Sequence, residues 1–224
     1  MSHSIAVIGG TGPQGKGLAY RWARHGHVVV VGSRSSDRAE ETATEIRERL
    51  GGGGGADVTG AENATAVASA DVVVLSVPYD GHSDLVAGLS HELAGKTVIS
   101  CVNPLGFDQR GPYGLDVAAG SAAEEAAALV NAKVVGGFHH VSAVSLWGDK
   151  DYLSHEDVLV CGDDKGAKQI AIELARSVTG RNGVDAGALR MARQLEPLTA
   201  VLISINRRYK VRSGIAVSGL PGSG

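Results

Sequence analysis

Short runs of β-branched residues alternate along this chain with longer stretches whose apolar positions recur every three or four residues. The pattern predicts strands at Ser4–Ile8, Val28–Val31, near Val58, at Val72–Ser76, Thr97–Val102, Val134–Gly137 and Val158–Cys161. Between them it predicts helices at Pro13–Arg24, Asp37–Leu50, Ala64–Ser69, Leu85–Leu93, Ala122–Val130 and Ala167–Ser177. Gly26 stops the first helix and Ser36 is placed to cap the second. Gly51–Gly55, five consecutive glycines, reads as a flexible surface loop. Residues 103–120, rich in Gly, Pro and Asn, read as a long loop of the kind that is functional or disordered. Ala188–Arg212 reads as helical, interrupted or restarted at Pro197, with a last strand at Ile215–Val217.

Strands that are apolar on both faces and separated by helices imply a parallel sheet covered on both sides. The expected fold is therefore α/β, a Rossmann-type doubly wound parallel sheet. It occupies residues 1–185, and a small C-terminal helical segment occupies residues 186–224.

The strongest local signal is Gly10-Thr11-Gly12-Pro13-Gln14-Gly15, directly after the first strand and opening the first helix. A GxGxxG sequence alone means little in a chain with 32 glycines among 224 residues. Its place between strand and helix gives it meaning. Gly10 permits a tight turn, Gly12 lets the backbone approach a pyrophosphate, and Gly15 lets the helix pack against the sheet. The helix N-terminus offers free N–H groups to the anion, and Pro13 fits the first helical position, where an N–H is not needed.

The end of the second strand selects the dinucleotide. An NAD site normally places Asp or Glu there to hold the adenosine ribose hydroxyls. Here the sequence is Gly32-Ser33-Arg34-Ser35-Ser36-Asp37-Arg38, with no carboxylate at the strand terminus. Ser33, Arg34 and Arg38 supply a hydroxyl and two permanently charged forks suited to phosphate oxygens, which points to NADP(H).

Ligands in open α/β sheets lie beyond the carboxyl ends of the strands. The tips there are Ser76-Val77-Pro78-Tyr79, Cys101-Val102-Asn103-Pro104 and Gly137-Phe138-His139-His140-Val141-Ser142-Ala143, mostly apolar or small. No Ser-His-Asp arrangement, paired carboxylates or HExxH helix is present, and at most one of the adjacent His139 and His140 faces the crevice. An alcohol dehydrogenase needs a proton acceptor at the carbonyl oxygen. Hydride transfer between two heteroaromatic rings needs stacking and correct facing instead.

Composition narrows the picture from outside. A net charge of −3 and only nine aromatic residues argue against a nucleic-acid partner. The longest apolar runs are far too short to span a bilayer, so a cytoplasmic protein is expected. Cys101 and Cys161 lie in no ligand-like spacing and read as small buried hydrophobes; no metal is expected.

Ile5–Gly17 (IAVIGGTGPQGKG), Val31–Arg34 (VGSR), Val160–Asp164 (VCGDD) and Asn206–Tyr209 (NRRY), in this order, resemble the NADPH-dependent F420 reductases, also called F420-dependent NADP oxidoreductases. The resemblance runs over nearly the whole chain. It implies an enzyme that moves a hydride reversibly between NADP(H) and the 5-deazaflavin coenzyme F420, as a homodimer. By that likeness Thr11, Gly12, Pro13 and Gln14 hold the pyrophosphate, and Ser33, Arg34 and Arg38 hold the 2′-phosphate. Pro78 and Val102 line the nicotinamide side, and His139 and Ala143 lie where the nicotinamide meets the deazaflavin. No residue is assigned acid–base catalysis. The family pattern carries a proline where this chain has Ser142, and often Lys where it has Arg38.

Residues 190–212 carry a net charge of +5 and the remainder −8. This basic C-terminal helix either attracts the anionic F420 tail or only complements its own helix dipole. Other readings of the cradle are a ferric or flavin reductase, an imine reductase of the proline-biosynthesis type, and an NADP(H)-sensing binding module.

Overall fold

The structure, a computed structural model, describes residues 2–51 and 57–220. Its first half runs β1 (Ser4–Ile8), α1 (Pro13–Arg24), β2 (Val28–Ser33), α2 (Ser36–Arg49), β3 (Val58–Glu62), α3 (Asn63–Ala68), β4 (Val72–Leu75), α4 (His82–Gly88), α5 (Ser90–Leu93) and β5 (Thr97–Ser100). A hairpin of β6 (Leu105–Asp108) and β7 (Gly111–Gly114) follows, then α6 (Ala122–Leu129), β8 (Lys133–Gly137) and the short α7 (Ala143–Leu146). The chain continues through β9 (Leu159–Gly162), α8 (Lys165–Leu174), α9 (Arg176–Thr179), β10 (Val184–Gly187) and α10 (Ala192–Tyr209).

Eight strands form one sheet in the order β3-β2-β1-β4-β5-β8-β9-β10. The first six run parallel in the 3-2-1-4-5-6 arrangement of dinucleotide-binding sheets. The strand order reverses between β1 and β4, which opens a crevice beyond their carboxyl ends. Alternation within each strand feeds two cores. Ile5 and Val7 of β1 pack with Leu18, Trp22 and Phe138 on one face, while Ala6 and Ile8 pack with Val67, Val86 and Ala126 on the other.

The expected doubly wound sheet is present, but it is mostly rather than wholly parallel: β9 pairs antiparallel with β8, and β10 parallel with β9. The 103–120 loop contains the β6–β7 hairpin. Asp108 Oδ1 accepts from the Arg110 and Gly111 backbone N–H groups at 2.7 and 3.1 Å, a side-chain-stabilised turn within a run lacking strand alternation. The second helix begins one residue earlier than expected; Ser35 rather than Ser36 caps it, its Oγ accepting from Arg38 N. α10 runs unbroken through Pro197. Buried neighbours on both sides (Leu195, Glu196, Ala200, Leu202) hold that helix, and β7 packs on the proline. Ile215–Val217 forms no strand; Asp157 pins it, donating its N–H to Ile215 O while its carboxylate accepts from Val217 N. The strand β10 and helix α7 carry no sequence signal. Of the glycine run, Gly52–Gly55 lies outside the described residues.

Glu196 ties α10 to the sheet. In the sequence it is the lone acid of a basic segment. In the structure its carboxylate is buried, and it accepts from Ala122 N and Ala123 N at 2.9 and 3.0 Å, capping α6 from another helix. Burial pushes its pKa up to about 7, against the pull of those two backbone donors.

Candidate cofactor-binding crevice

One end of the crevice is set by local backbone. Gly9 holds φ at +78°, and a Cβ there would stand 2.4 Å from Ser76 O, so the left-handed turn falls one residue before Gly10. A Cβ on Gly10 would stand 2.7 Å from Val7 O, and one on Gly15 2.7 Å from Gly9 O. These glycines let β1, α1 and the β4 tip converge. Gly12 is less crowded. It caps α1 in extended conformation and faces the open crevice.

A cavity of about 470 Å³ lies against that turn, walled by Thr11, Gly12, Ser33, Arg34, Arg38 and Pro78 among others. Arg34 and Arg38 are exposed, and among the described residues no carboxylate pairs with either. Two further wall residues escaped the sequence reading. Asn63, at the start of α3, keeps a buried Oδ1 without a hydrogen-bond partner, and Asp80 follows the β4 tip. Only the topology, which sets β3 beside β2, brings Asn63 to this wall.

The second cavity, about 450 Å³, joins the first at Gly12, Ser76, Val77 and Pro78. Its walls include Pro13, Gln14, Cys101, Asn103, the 139–143 segment, and Thr199, Leu202, Ile203 and Asn206 of α10. Among the described residues no Asp, Glu, Lys or Arg lines it. Burial pushes the Cys101 thiol well above its usual range. Burial, with the neighbouring His140, pushes His139 down to about 3, so its imidazole is neutral at physiological pH.

Several predicted residues meet here in unexpected ways. His139 contributes its backbone: its carbonyl oxygen accepts from Asn103 Nδ2 and Thr199 Oγ1, each at 2.9 Å. The ring is buried, its nitrogens near the Cys101 and Val102 backbone without a well-formed hydrogen bond. His140 turns inward too, its Nε2 2.7 Å from Asp157 O. The Val102 side chain is 1% exposed in the core beneath, leaving Cys101 and Asn103 at the cavity wall. Phe138 takes φ of +63°, rare for a side-chain-bearing residue, and Gln14 Nε2 donates to its carbonyl at 3.2 Å. Ser142 caps α7, its Oγ accepting from Ser145 N, so Ala143 stands at the first helical position on the wall.

Of the six cations between 190 and 212, Arg193 is held by both carboxylate oxygens of Glu124, and Arg207 lies 5.9 Å from the Phe107 ring. Arg208, Lys210 and Arg212 are exposed beside the cavity-wall residues Asn206 and Ser213. Among the described residues no group of three or more His, Cys, Asp or Glu is placed to hold a metal ion, and no helix is long and apolar enough to cross a membrane.

Comparison with known proteins points to one family. The family model of coenzyme F420-dependent NADP oxidoreductases matches residues 4–104. An F420-dependent NADP reductase of Methanocaldococcus jannaschii is 38% identical, over 96% of this chain and 98% of the relative. One from Methanothermobacter thermautotrophicus is 37% identical, over 99% and 97%. A crystal structure from Arthrobacter sp. FB24, given as a candidate F420-dependent NADP reductase, superposes with a TM-score of 0.78 at 26% identity, covering 96% of this chain and all of that one.

Proposed function

Since the chain belongs to the family of coenzyme F420-dependent NADP oxidoreductases, we propose that its crevice lays the nicotinamide of NADP(H) against the deazaflavin of F420. The chain is an oxidoreductase that transfers a hydride between these two carriers. Thr11, Gly12, Pro13 and Gln14, with Gly10 and Gly15 shaping the turn, hold the pyrophosphate at the N-terminus of α1. Ser33, Arg34 and Arg38 hold the 2′-phosphate, where two unpaired guanidiniums and a hydroxyl meet an anion of matching geometry. The fit is supported by Gly12, the one cradle glycine whose open side faces both cavities.

Pro78 and Ala143 bound the ring end, the His139 carbonyl with its two donors stiffens it, and Val102 supports it from beneath. Residues 186–224 complete the F420 side through Thr199, Leu202, Ile203 and Asn206 of α10. When bound, the nicotinamide and the deazaflavin supply the hydride donor and acceptor themselves. The chain supplies alignment and exclusion of water, and burial holds the Cys101 thiol above its ordinary pKa range and the His139 and His140 rings below theirs.

The observation that carries this reading is the uncharged cavity joined, at Gly12 and Pro78, to a cavity bearing two unpaired arginines. Mixing the protein with NADPH and oxidised F420 tests it by loss of the deazaflavin absorbance. Tight NADPH binding without turnover would make the protein a nucleotide sensor instead. The protein acts as a homodimer in the cytoplasm on this reading. Exposed Phe107, Tyr113, Val201 and Tyr209 on the hairpin and α10 offer an apolar face, and two free cysteines suit a reducing compartment. Light scattering behind size exclusion measures the oligomer.

A further inference from the structure

α1 opens at the phosphate cradle, and one stripe of it grips the same distant segment three times. Gln14, Gly17 and Arg21 stand at positions i, i+3 and i+7, on one helical face. Gln14 holds the Phe138 carbonyl. Gly17 admits α7 so closely that a Cβ on it would stand 2.6 Å from Leu146 Cβ. Arg21, fully buried, reaches the turn beyond α7.

The bonding of Arg21 is unusual for a buried charge. Nε donates to Leu146 O at 2.7 Å, Nη1 to Lys150 O and Asp151 O at 2.5 and 2.8 Å, and Nη2 to Ser145 O and Gly148 O at 2.9 and 3.3 Å. The acceptors are backbone carbonyls throughout; the Asp151 carboxylate goes to Arg24. A helix of one turn has little cooperativity of its own and leaves its last carbonyls without internal partners. The fixed fork of a guanidinium collects those carbonyls in one geometry, which a lysine cannot reproduce.

α7 begins with the Ser142–Ala143 wall of the uncharged cavity. We propose that Arg21 is a positioning residue for hydride transfer: with Gly17 it fixes α7, and thereby the Ser142–Ala143 wall, at the separation from α1 that face-to-face rings require. The inference rests on the ring-site reading given above. It says that the helix cradling the pyrophosphate also sets the ring end, so that disturbing Gly17 or Arg21 slows chemistry and spares nucleotide affinity.

Arg21→Lys and Gly17→Ala test this by two routes. The first keeps the charge but offers three donors to five carbonyls. The second removes no hydrogen bond, favours helix, and pushes α7 outward, so it decides the matter where Arg21→Lys fails to fold. Single-turnover stopped flow with NADPH, and with NADPH deuterated at the transferred position, reads the hydride step, and fluorescence titration reads NADPH binding. The expected result is a 10–100-fold slower hydride transfer, the scale for misplacement by about 1 Å. NADPH affinity should stay within about twofold, and the deuterium effect on kcat should become fully expressed. An unchanged transfer rate in Gly17→Ala overturns the proposal. So does a loss of rate that merely parallels a loss of binding stoichiometry, with no change in the isotope effect. Wild-type protein unable to reduce F420 would instead strike the ring-site reading itself.

Discussion

The two ends of the crevice are built on opposite plans. At the proposed phosphate end, the turn from Gly9 to Gly15 and the tip from Ser33 to Arg38 are short contiguous segments, and the permanent charges of Arg34 and Arg38 stand exposed. At the ring end, the wall is assembled from six separate stretches of the chain between Gly12 and Ser213, uncharged, and stiffened by bonds to backbone carbonyls of Phe138 and His139. On the proposed reading one end attracts by charge. The other excludes water and fixes distance, and the two should fail differently when perturbed.

Acid should separate them most. His139 lies in the ring-end wall with its pKa held down to about 3, against an ordinary 6.5, by burial first and by His140 second. The unfolded chain therefore binds more protons than the folded one between those values. The resulting stability is fully present above pH 6.5 and is lost as pH falls toward 3. His27, held down to about 4 by burial and by nearby His3, acts in the same direction. His139→Leu should flatten this acid limb by a few kcal/mol, measured by urea melts from pH 7.5 to 4.5, because a neutral side chain has no charging cost. Glu196 opposes the trend: its folded pKa, raised to about 7, favours the folded state at low pH and loses that contribution as pH rises from 4.5 through 7. An acid limb equally steep in the variant would mean that the His139 ring escapes to water before it charges.

At the phosphate end, Arg34→Ala should weaken NADPH binding by about 1.5–3 kcal/mol, the scale for hydrogen bonds to charged groups, and leave NADH nearly untouched. KM for both nucleotides, in wild type and variant, decides it. Equal losses would mean that Arg34 does not meet the 2′-phosphate. Stability should barely move, since Arg34 is exposed.

The contrast also governs how much could be read beforehand. The glycine-rich turn, the NADP(H) reading and the strand–helix order up to β5 are legible because each depends on neighbours in the sequence. The positive φ sits at Gly9 rather than Gly10, and the Ser76 carbonyl just beyond β4 leaves no room there for a Cβ, which no pattern within the turn itself reveals. His139 is legible as a wall residue but not as a carbonyl held by Asn103 and Thr199, since those donors come from 36 residues before and 60 after. Arg21 looks like any helical surface charge until α7, itself without a sequence signal, is laid over it. Pro197 misleads for a related reason: tertiary packing overrides a local rule.

Removing one of the two donors on the His139 carbonyl should have a smaller effect than either change above. Thr199→Val keeps the shape and deletes the Oγ1 bond while Asn103 remains. About 1 kcal/mol of stability should be lost in urea melts. kcat should fall severalfold, with the ratio of NADPH to NADH binding unchanged. A shift in that ratio would show that the ends are coupled more tightly than separate plans allow.

The smallest effect is expected from salt, and it asks whether charge acts at the F420 end at all. Arg193 is already neutralised by Glu124, and its carboxylate partner sits below its usual pKa range because of that guanidinium. Any steering therefore falls to Arg207, Arg208, Lys210 and Arg212 around the end of α10, next to cavity-wall Asn206 and Ser213. Charges attracting an anionic tail across solvent are screened over about 10 Å at 0.1 M salt, so KM for F420 should rise about two- to fivefold between roughly 0.05 and 0.3 M. Arg208→Ala should weaken that dependence and Arg193→Ala should not. A flat response would assign these cations to the C-terminus of their own helix, where they offset the unpaired carbonyls, and would leave the ring end recognising F420 by shape alone.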